Sequence, residues 1–371
     1  MSPFSERDFK RFGIEEINNL NFQVLVLDCT PFLDEKFEEY ICAENICIKN
    51  KNVKRCYSFF LFIKYFYKFL PNWTVYFIPL KGRGKYLQRF LIRLIVKLNS
   101  RIIHHRTGAH PYFDTLPNSK SNILKISKKI KFLLGKIIYF PIEILRADKV
   151  VIGGHSEFIK LRDKKNAILA HNLDYDNFLE ISRNCKSKEN ISKNLLFLDE
   201  DFPYHPDFFR LGISPELDIK YFTEMSECLN KLGEILNLKT FIKLHPRANI
   251  EKSSKLYNID IAYEDTAKLV ANSDLVIAHC STSIQLAVLF YKPIILLIPD
   301  KLPENSIYKL NINYFRNELG VPCIRTNEIK KIKEIPLVNF EKYDKYKEKF
   351  IKIKGSEEKY SWEIIINDIS S

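Results

Sequence analysis

The sequence predicts an α/β protein built from two Rossmann-like domains with doubly wound parallel sheets. Three observations carry this. A length of 371 residues suits about two domains at ~150 residues each. Short aliphatic runs recur along the chain, separated by longer segments with helical spacing. Several of these runs end directly in a polar cluster, as strands do at the ligand-binding carboxyl edge of an open parallel sheet.

In the first half, Gln23–Asp28, Thr74–Pro79 and Lys149–Gly153 read as buried parallel strands. The segment 86–98 reads as a helix that places Arg89, Arg93 and Lys97 on one face. A second helix is expected over 123–138, where Lys125, Lys128, Lys129, Lys131 and Lys136 lie among Leu and Ile. The alternation then restarts. Leu195–Leu198, Thr240–Leu244, Leu275–Ala278 and Pro293–Ile298 read as strands, and 219–236, 266–271 and 284–290 as helices. A charged helical tail closes the chain. The expected division is 1–165, 166–345 and 346–371, with no internal repeat of solenoid period.

Composition narrows the function classes. Hydrophobic residues make up 46% and charged residues 28%, a globular balance that excludes a disordered or fibrous chain. Residues 1–150 hold 26 basic and 13 acidic side chains, and the remainder holds 32 of each. Over 51–140 there are 19 basic residues and one acidic residue, Asp114. Such asymmetry points to an anionic partner: membrane headgroups, nucleic acid or a phosphorylated substrate. A nucleic-acid-binding protein would need a recognised motif or an aromatic stacking pattern, and the basic helices are aliphatic. No nucleic-acid partner is therefore expected. The eight cysteines show no zinc spacing and read as buried thiols of a reducing compartment. No signal-peptide core stands at the N-terminus, and no apolar stretch is long enough to span a bilayer. A cytoplasmic protein, peripheral on the inner face of the cytoplasmic membrane, is expected.

Three polar clusters follow the second-half strands: Asp199-Glu200-Asp201, His245-Pro246-Arg247 and Ser281-Thr282-Ser283. Three in consecutive units argue for one shared site. The hydroxyl cluster, at the start of a helix, suits a phosphate or serves as a plain N-cap. His245, with Lys243 and Arg247 beside it, can donate to a phosphate oxygen or protonate a leaving group. Glu264-Asp265-Thr266 either hold a ribose or base edge, or cap the helix at 266. His171 and Asp174 belong to a further cluster, at the domain joint, with an Asp-x-Asp spacing at 174 and 176; the expected role is structural or acceptor-facing, with no metal. Two polar loops, 81–84 and 104–110, could face an acceptor or a lipid phosphate, or serve as a turn and a set of surface imidazoles. Arg83, Lys85, Arg89, Arg93 and Lys97 are the expected acceptor- or membrane-facing cations.

On these residues the chain resembles bacterial surface-carbohydrate glycosyltransferases of the GT-B type. The strand-then-His245-Pro246 motif and the downstream Ser281-Thr282-Ser283 motif are similar to two motifs of bacterial sialyltransferases and polysialyltransferases. Phe197–Glu200 with Tyr204–Pro206, and Ala278–Ser283, also resemble surface-polysaccharide proteins associated with nonulosonic-acid glycans. The likeness covers about residues 165–300. It implies that His245 and Ser281–Ser283 contact the cytidine nucleotide of a CMP-activated sugar. In those enzymes an acid pair followed by glycine supplies the general base from the N-terminal domain. Here Asp199-Glu200 lacks the glycine and stands in the second half, so His171 and Asp174 compete with Asp199 and Glu200 as the base.

The expectation is an inverting glycosyltransferase with CMP-sugar as co-substrate and no other cofactor. Electrostatic stabilisation of the departing phosphate by His245 and the hydroxyl cluster makes a divalent metal dispensable. The acceptor is a cell-surface glycan or a lipid-linked molecule, bound by the basic half. The main alternative is a polyol-phosphate transferase with a CDP-linked donor, also a GT-B enzyme with His-Pro and Ser-rich motifs. An epimerase of the same fold stands behind it.

Overall fold

The computed structural model describes residues 4–35, 50–68, 74–77 (backbone only), 85–106, 147–161, 164–184, 193–205, 215–246, 248 and 250–371. Twelve strands are found among them, every ladder is parallel, and helices fill most of the connections. The first half forms a pair, β1 (Val26–Asp28) with β2 (Val53–Arg55). It also forms a four-stranded sheet in sequential order: β3 (Thr74–Phe77), β4 (Arg101–Arg106), β5 (Lys149–Ile152) and β6 (Ala167–Leu169). The second half forms six strands: β7 (Asn194–Leu198), β8 (Lys239–Lys243), β9 (Asp260–Ile261), β10 (Leu275–Ala278), β11 (Ile294–Ile298) and β12 (Cys323–Arg325).

The six-stranded sheet has the order β12-β11-β10-β7-β8-β9. Counted along the chain, that is the doubly wound order 3-2-1-4-5-6. From β7 the chain winds one way through β8 and β9, then returns to the other flank of β7 as β10. The β7/β10 seam is thus the switch point, the place where doubly wound sheets bind ligands at their carboxyl ends.

The aliphatic runs form this sheet because both of its faces are covered. Leu195, Phe197, Val276, Ile277 and Ile294–Leu297 are essentially inaccessible to solvent. Each such side chain stabilises the fold by about 1.5–3 kcal/mol. The helix Lys220–Leu236 lays Tyr221, Phe222, Met225, Leu229 and Leu232 on it at helical spacing. That helix stops where Asn237 turns left-handed (φ 52°) and Leu238 N–H donates back to Gly233 O. Among the described cysteines, 29, 56, 228 and 280 are buried, and all are free thiols.

The C-terminal helix Ser361–Ser370 packs on the first sheet. Ile364 and Ile365 join Ile103, Val151, Ile168 and Ala170 in one apolar cluster. The turn before it crosses close to the end of β5. Gly154 has φ 141°, and a Cβ there would lie 2.8 Å from Lys349 O, so the crossing requires glycine.

Two expected features changed. The polar stretch 104–106 belongs to β4 and is not a loop. Strands β2, β4, β6, β9 and β12 were not foreseen. They are two or three residues long, or, in β4, interrupted by His and Arg, and so give too short a run to read as strands. The expected helix 123–138 and the loop 81–84 lie outside the described residues, as do Arg83, Arg247 and positions 107–110.

Candidate functional site

The strand register assembles the site. Leu198 pairs with Ala278 on one side and with Lys243 on the other. Cys280, Glu200 and His245 each stand two residues beyond these paired positions, in the loops that leave three adjacent strands.

Glu200 is buried and bridges the switch point. Its Oε1 accepts from Cys280 N–H at 2.6 Å, and its Oε2 lies 3.5 Å from Cys280 Sγ. Burial pushes its carboxyl up to about 7, partly offset by the Cys280 hydrogen bonds. The same contact and burial raise the Cys280 thiol well above its usual range, so this thiol is not a nucleophile.

Asp199 faces inward, and one hydroxyl connects it to His279. Tyr221 Oη lies 3.0 Å from both Asp199 Oδ1 and His279 Nε2. His279 Nδ1 is 2.7 Å from Leu297 O. A carbonyl only accepts, so Nδ1 carries the proton. Burial pushes His279 down to about 4, so Nε2 is an acceptor. Tyr221 Oη donates to Asp199 Oδ1, which also accepts from Asp201 N–H at 3.0 Å. Burial raises the Asp199 carboxyl, partly offset by these hydrogen bonds. Phe202 stacks on the His279 ring at 4.8 Å. These buried, hydrogen-bonded groups lie beneath the two loops.

The hydroxyl cluster divides in role. Ser281 Oγ accepts from Ser283 N–H at 3.3 Å and shapes the turn into the helix Ile284–Leu289. Thr282 and Ser283 are half-buried at the mouth of that turn. His245 is half-buried as well, and the ring of His205 lies 5.0 Å from it at 54°. His205 belongs to the Tyr204–Pro206 segment that the sequence already singled out. Pro246 is exposed. Lys243 Nζ turns away to the carbonyls of Tyr263 and Glu264. Asp265 caps the helix Thr266–Asn272 through Ala267 N–H at 2.8 Å. The capping alternative of the 264–266 cluster thus holds through Asp265, and Glu264 is exposed beyond β9.

The remaining candidates do not join this group. His171 is fully buried at the end of β6, with Nε2 2.7 Å from Lys359 O and Nδ1 3.0 Å from Asn172 O. Asp174 pairs with Arg11 at 2.9 Å, and Asp176 accepts from Ser361 N–H at 2.8 Å. These residues tie the C-terminal segment and the N-terminal helix Glu6–Arg11 to the joint. That geometry replaces the expectation of a base at His171 or Asp174 with a structural role.

The basic face of the helix Tyr86–Asn99 is corrected too. Arg89 is 2% exposed and donates to Leu33 O at 3.1 Å. Arg93 is buried, and desolvation lowers its pKa. Lys97 pairs with Asp148 at 2.6 Å. Lys85 pairs with Glu35 and donates to Phe32 O. Arg89 and Arg93 therefore point into the protein, whereas Lys85 and Lys97 meet their carboxylates near the surface.

Two Rossmann-like units, with polar loops at the carboxyl edge of the second and a C-terminal helix returning to the first, define an α/β protein of the GT-B fold. The fold is also that of a UDP-GlcNAc 2-epimerase from Methanocaldococcus jannaschii, solved with UDP-GlcNAc and UDP. The two are 13% identical over 98% of this chain and 96% of that one, with a TM-score of 0.50. The wall teichoic acid polymerase TagF aligns over 100% of this chain and 87% of its own at 14% identity, TM-score 0.49. MurG of Acinetobacter baumannii aligns over 90% and 87% at 12% identity, TM-score 0.40. No protein-family model matches the sequence, and neither does any curated protein. At 13% identity the likeness to the epimerase shows the fold alone.

Proposed function

We propose that this chain is an inverting glycosyltransferase that moves a nonulosonic-acid-type sugar from a CMP-activated donor to a glycan or lipid-linked acceptor. The observation that carries this reading is the placement of Cys280, Glu200 and His245 in the loops that leave three adjacent strands at the switch point of the second sheet. The carboxyl edge there takes a nucleotide, as doubly wound sheets do. The resemblance of the His245-Pro246 and Ser281–Ser283 motifs to sialyltransferases supports cytidine as its base. His245 donates to the leaving phosphate, and the 281–283 turn offers it hydroxyl and backbone donors. Glu200, titrating near neutrality one strand from both, is the carboxyl placed to take the acceptor proton.

The experiment is a thermal-shift panel of CMP, CDP-glycerol and UDP-GlcNAc on the wild-type chain and on His245→Ala, followed by turnover with a CMP-activated sugar. CMP is expected to raise the melting temperature of the wild type and not of the variant. Turnover is expected to fall by about 10²-fold or more in the variant. Full turnover in His245→Ala sinks the site. Stabilisation by CDP-glycerol without turnover of a CMP-activated sugar turns the reading to a polyol-phosphate transferase. Stabilisation by the UDP compound alone removes the cytidine donor.

A further inference from the structure

The helix Tyr86–Asn99 is inverted relative to an ordinary surface helix. Its arginines at 89 and 93 are buried, whereas Leu87 is 66% exposed and Leu98 75%. Leu91 and Leu94 are half-buried between them. The spacing 87, 91, 94, 98 makes one continuous leucine stripe on the outer face. The helix Phe59–Lys68 does the same with aromatics. Phe62 and Phe66 enter the core, while Phe60 (80% exposed), Lys64 and Tyr67 (50%) line the outside at helical spacing, with Tyr57 (62%) ahead of them and Lys68 at the end.

The two faces adjoin. Phe62, Phe66, Ile92 and Val96 share one apolar cluster beneath them. The Asn99 side-chain amide reaches the Tyr67 hydroxyl at 3.5 Å, which sets Leu98 beside Tyr67 on one surface. A scattered exposed leucine needs no explanation, but a contiguous apolar and aromatic face marks an interaction site.

We infer that this face inserts shallowly into an anionic lipid surface, Leu87, Leu98, Phe60 and Tyr67 entering the headgroup boundary and Lys64 and Lys68 meeting lipid phosphates. Charge selects lipid as the occupant. Neither helix contains an acidic residue, and the surrounding sequence, 51–140, holds one against 19 basic ones. Aromatic and leucine side chains beside lysines are the composition of helices that lie in a membrane interface. Among the described residues no helix is long and apolar enough to cross a bilayer. The inference deepens the proposed reading, since it carries the chain to lipid-linked acceptors, but it rests on the outer faces of two helices and not on the donor site.

The test is co-sedimentation of the full chain with vesicles of phosphatidylcholine, with and without phosphatidylglycerol. The wild type is expected to pellet with the anionic vesicles. The double variant Phe60→Asp/Leu98→Asp should reduce partitioning by about tenfold or more. Lys64→Ser/Lys68→Ser should weaken the preference for phosphatidylglycerol and make it less sensitive to salt. CMP stabilisation should survive in both variants, so loss of vesicle binding and loss of the donor site read out separately. If the aspartates disturb the fold by circular dichroism, serines at 60 and 98 give the same comparison. Unchanged sedimentation of the apolar variants overturns the inference. So does wild-type chain that ignores both vesicles, including the case in which light scattering shows a dimer that these substitutions dissociate.

Discussion

The two halves of the molecule use charge in opposite ways. The second half carries equal numbers of acids and bases, and its central ionisable groups, Asp199, Glu200 and His279, are buried at the carboxyl edge within hydrogen bonds. The first half carries the whole excess of positive charge, yet on the helix Tyr86–Asn99 two arginines face inward and leucines face solvent. A net charge therefore does not say which face of an element presents it. In one half burial sets hydrogen-bonded polar groups beneath the loops of the carboxyl edge. In the other it leaves an apolar face outward in a cationic setting.

The sharpest way to break this comparison is to reverse a buried cation. Arg89→Glu places a carboxylate against Leu33 O in the core of the first half. It should cost about 3–5 kcal/mol, the range seen when a buried charge loses its partner. Urea denaturation measures it, and a cost under about 1 kcal/mol would mean that Arg89 reaches solvent after all. A smaller effect is expected beneath the second half's edge. Tyr221→Phe removes the hydroxyl between Asp199 and His279, leaving His279 Nε2 without that partner and Asp199 Oδ1 with Asp201 N–H alone, at about 1–3 kcal/mol. An unchanged midpoint would show that this hydroxyl contributes nothing to stability.

The smallest effect sharpens the role of Glu200. Its carboxyl is raised to about 7 in the folded chain, against about 4.3 unfolded. Between those values the folded state binds the extra proton. The stabilising contribution is thus full below about 4.3 and declines as pH rises toward 7. Glu200→Gln keeps an acceptor for Cys280 N–H and removes the titration. Its melting temperature relative to wild type should therefore climb between pH 5 and pH 8. Parallel pH curves for the two proteins would show that Glu200 does not titrate in this window.

Much of the second half was legible because β7, β10 and β11 are aliphatic and buried on both faces, and so announce themselves. The polar clusters at their ends follow from the same pattern. That Cys280, Glu200 and His245 leave adjacent strands was not legible, since it depends on which strands are neighbours, and β10 lies beside β7 only through a crossover. His279 and Tyr221 were missed because a buried hydroxyl or imidazole has no spacing signature. Tyr221 looks like any core aromatic at helical period, and its meaning comes from partners 22 and 58 residues away.

The sequence by itself determined the fold class, the doubly wound second unit, the polar edge and the polarity of the chain's charge. All of these depend on local periodicity and composition, which the primary structure carries directly. Tertiary structure decided where each polar group points. His171 and Asp174, candidates for chemistry by type, became clasps for the C-terminal segment and the N-terminal helix. The basic stripe at 89 and 93 became interior, because helical spacing defines two faces and only packing against the neighbouring sheet and helices chooses which one is buried.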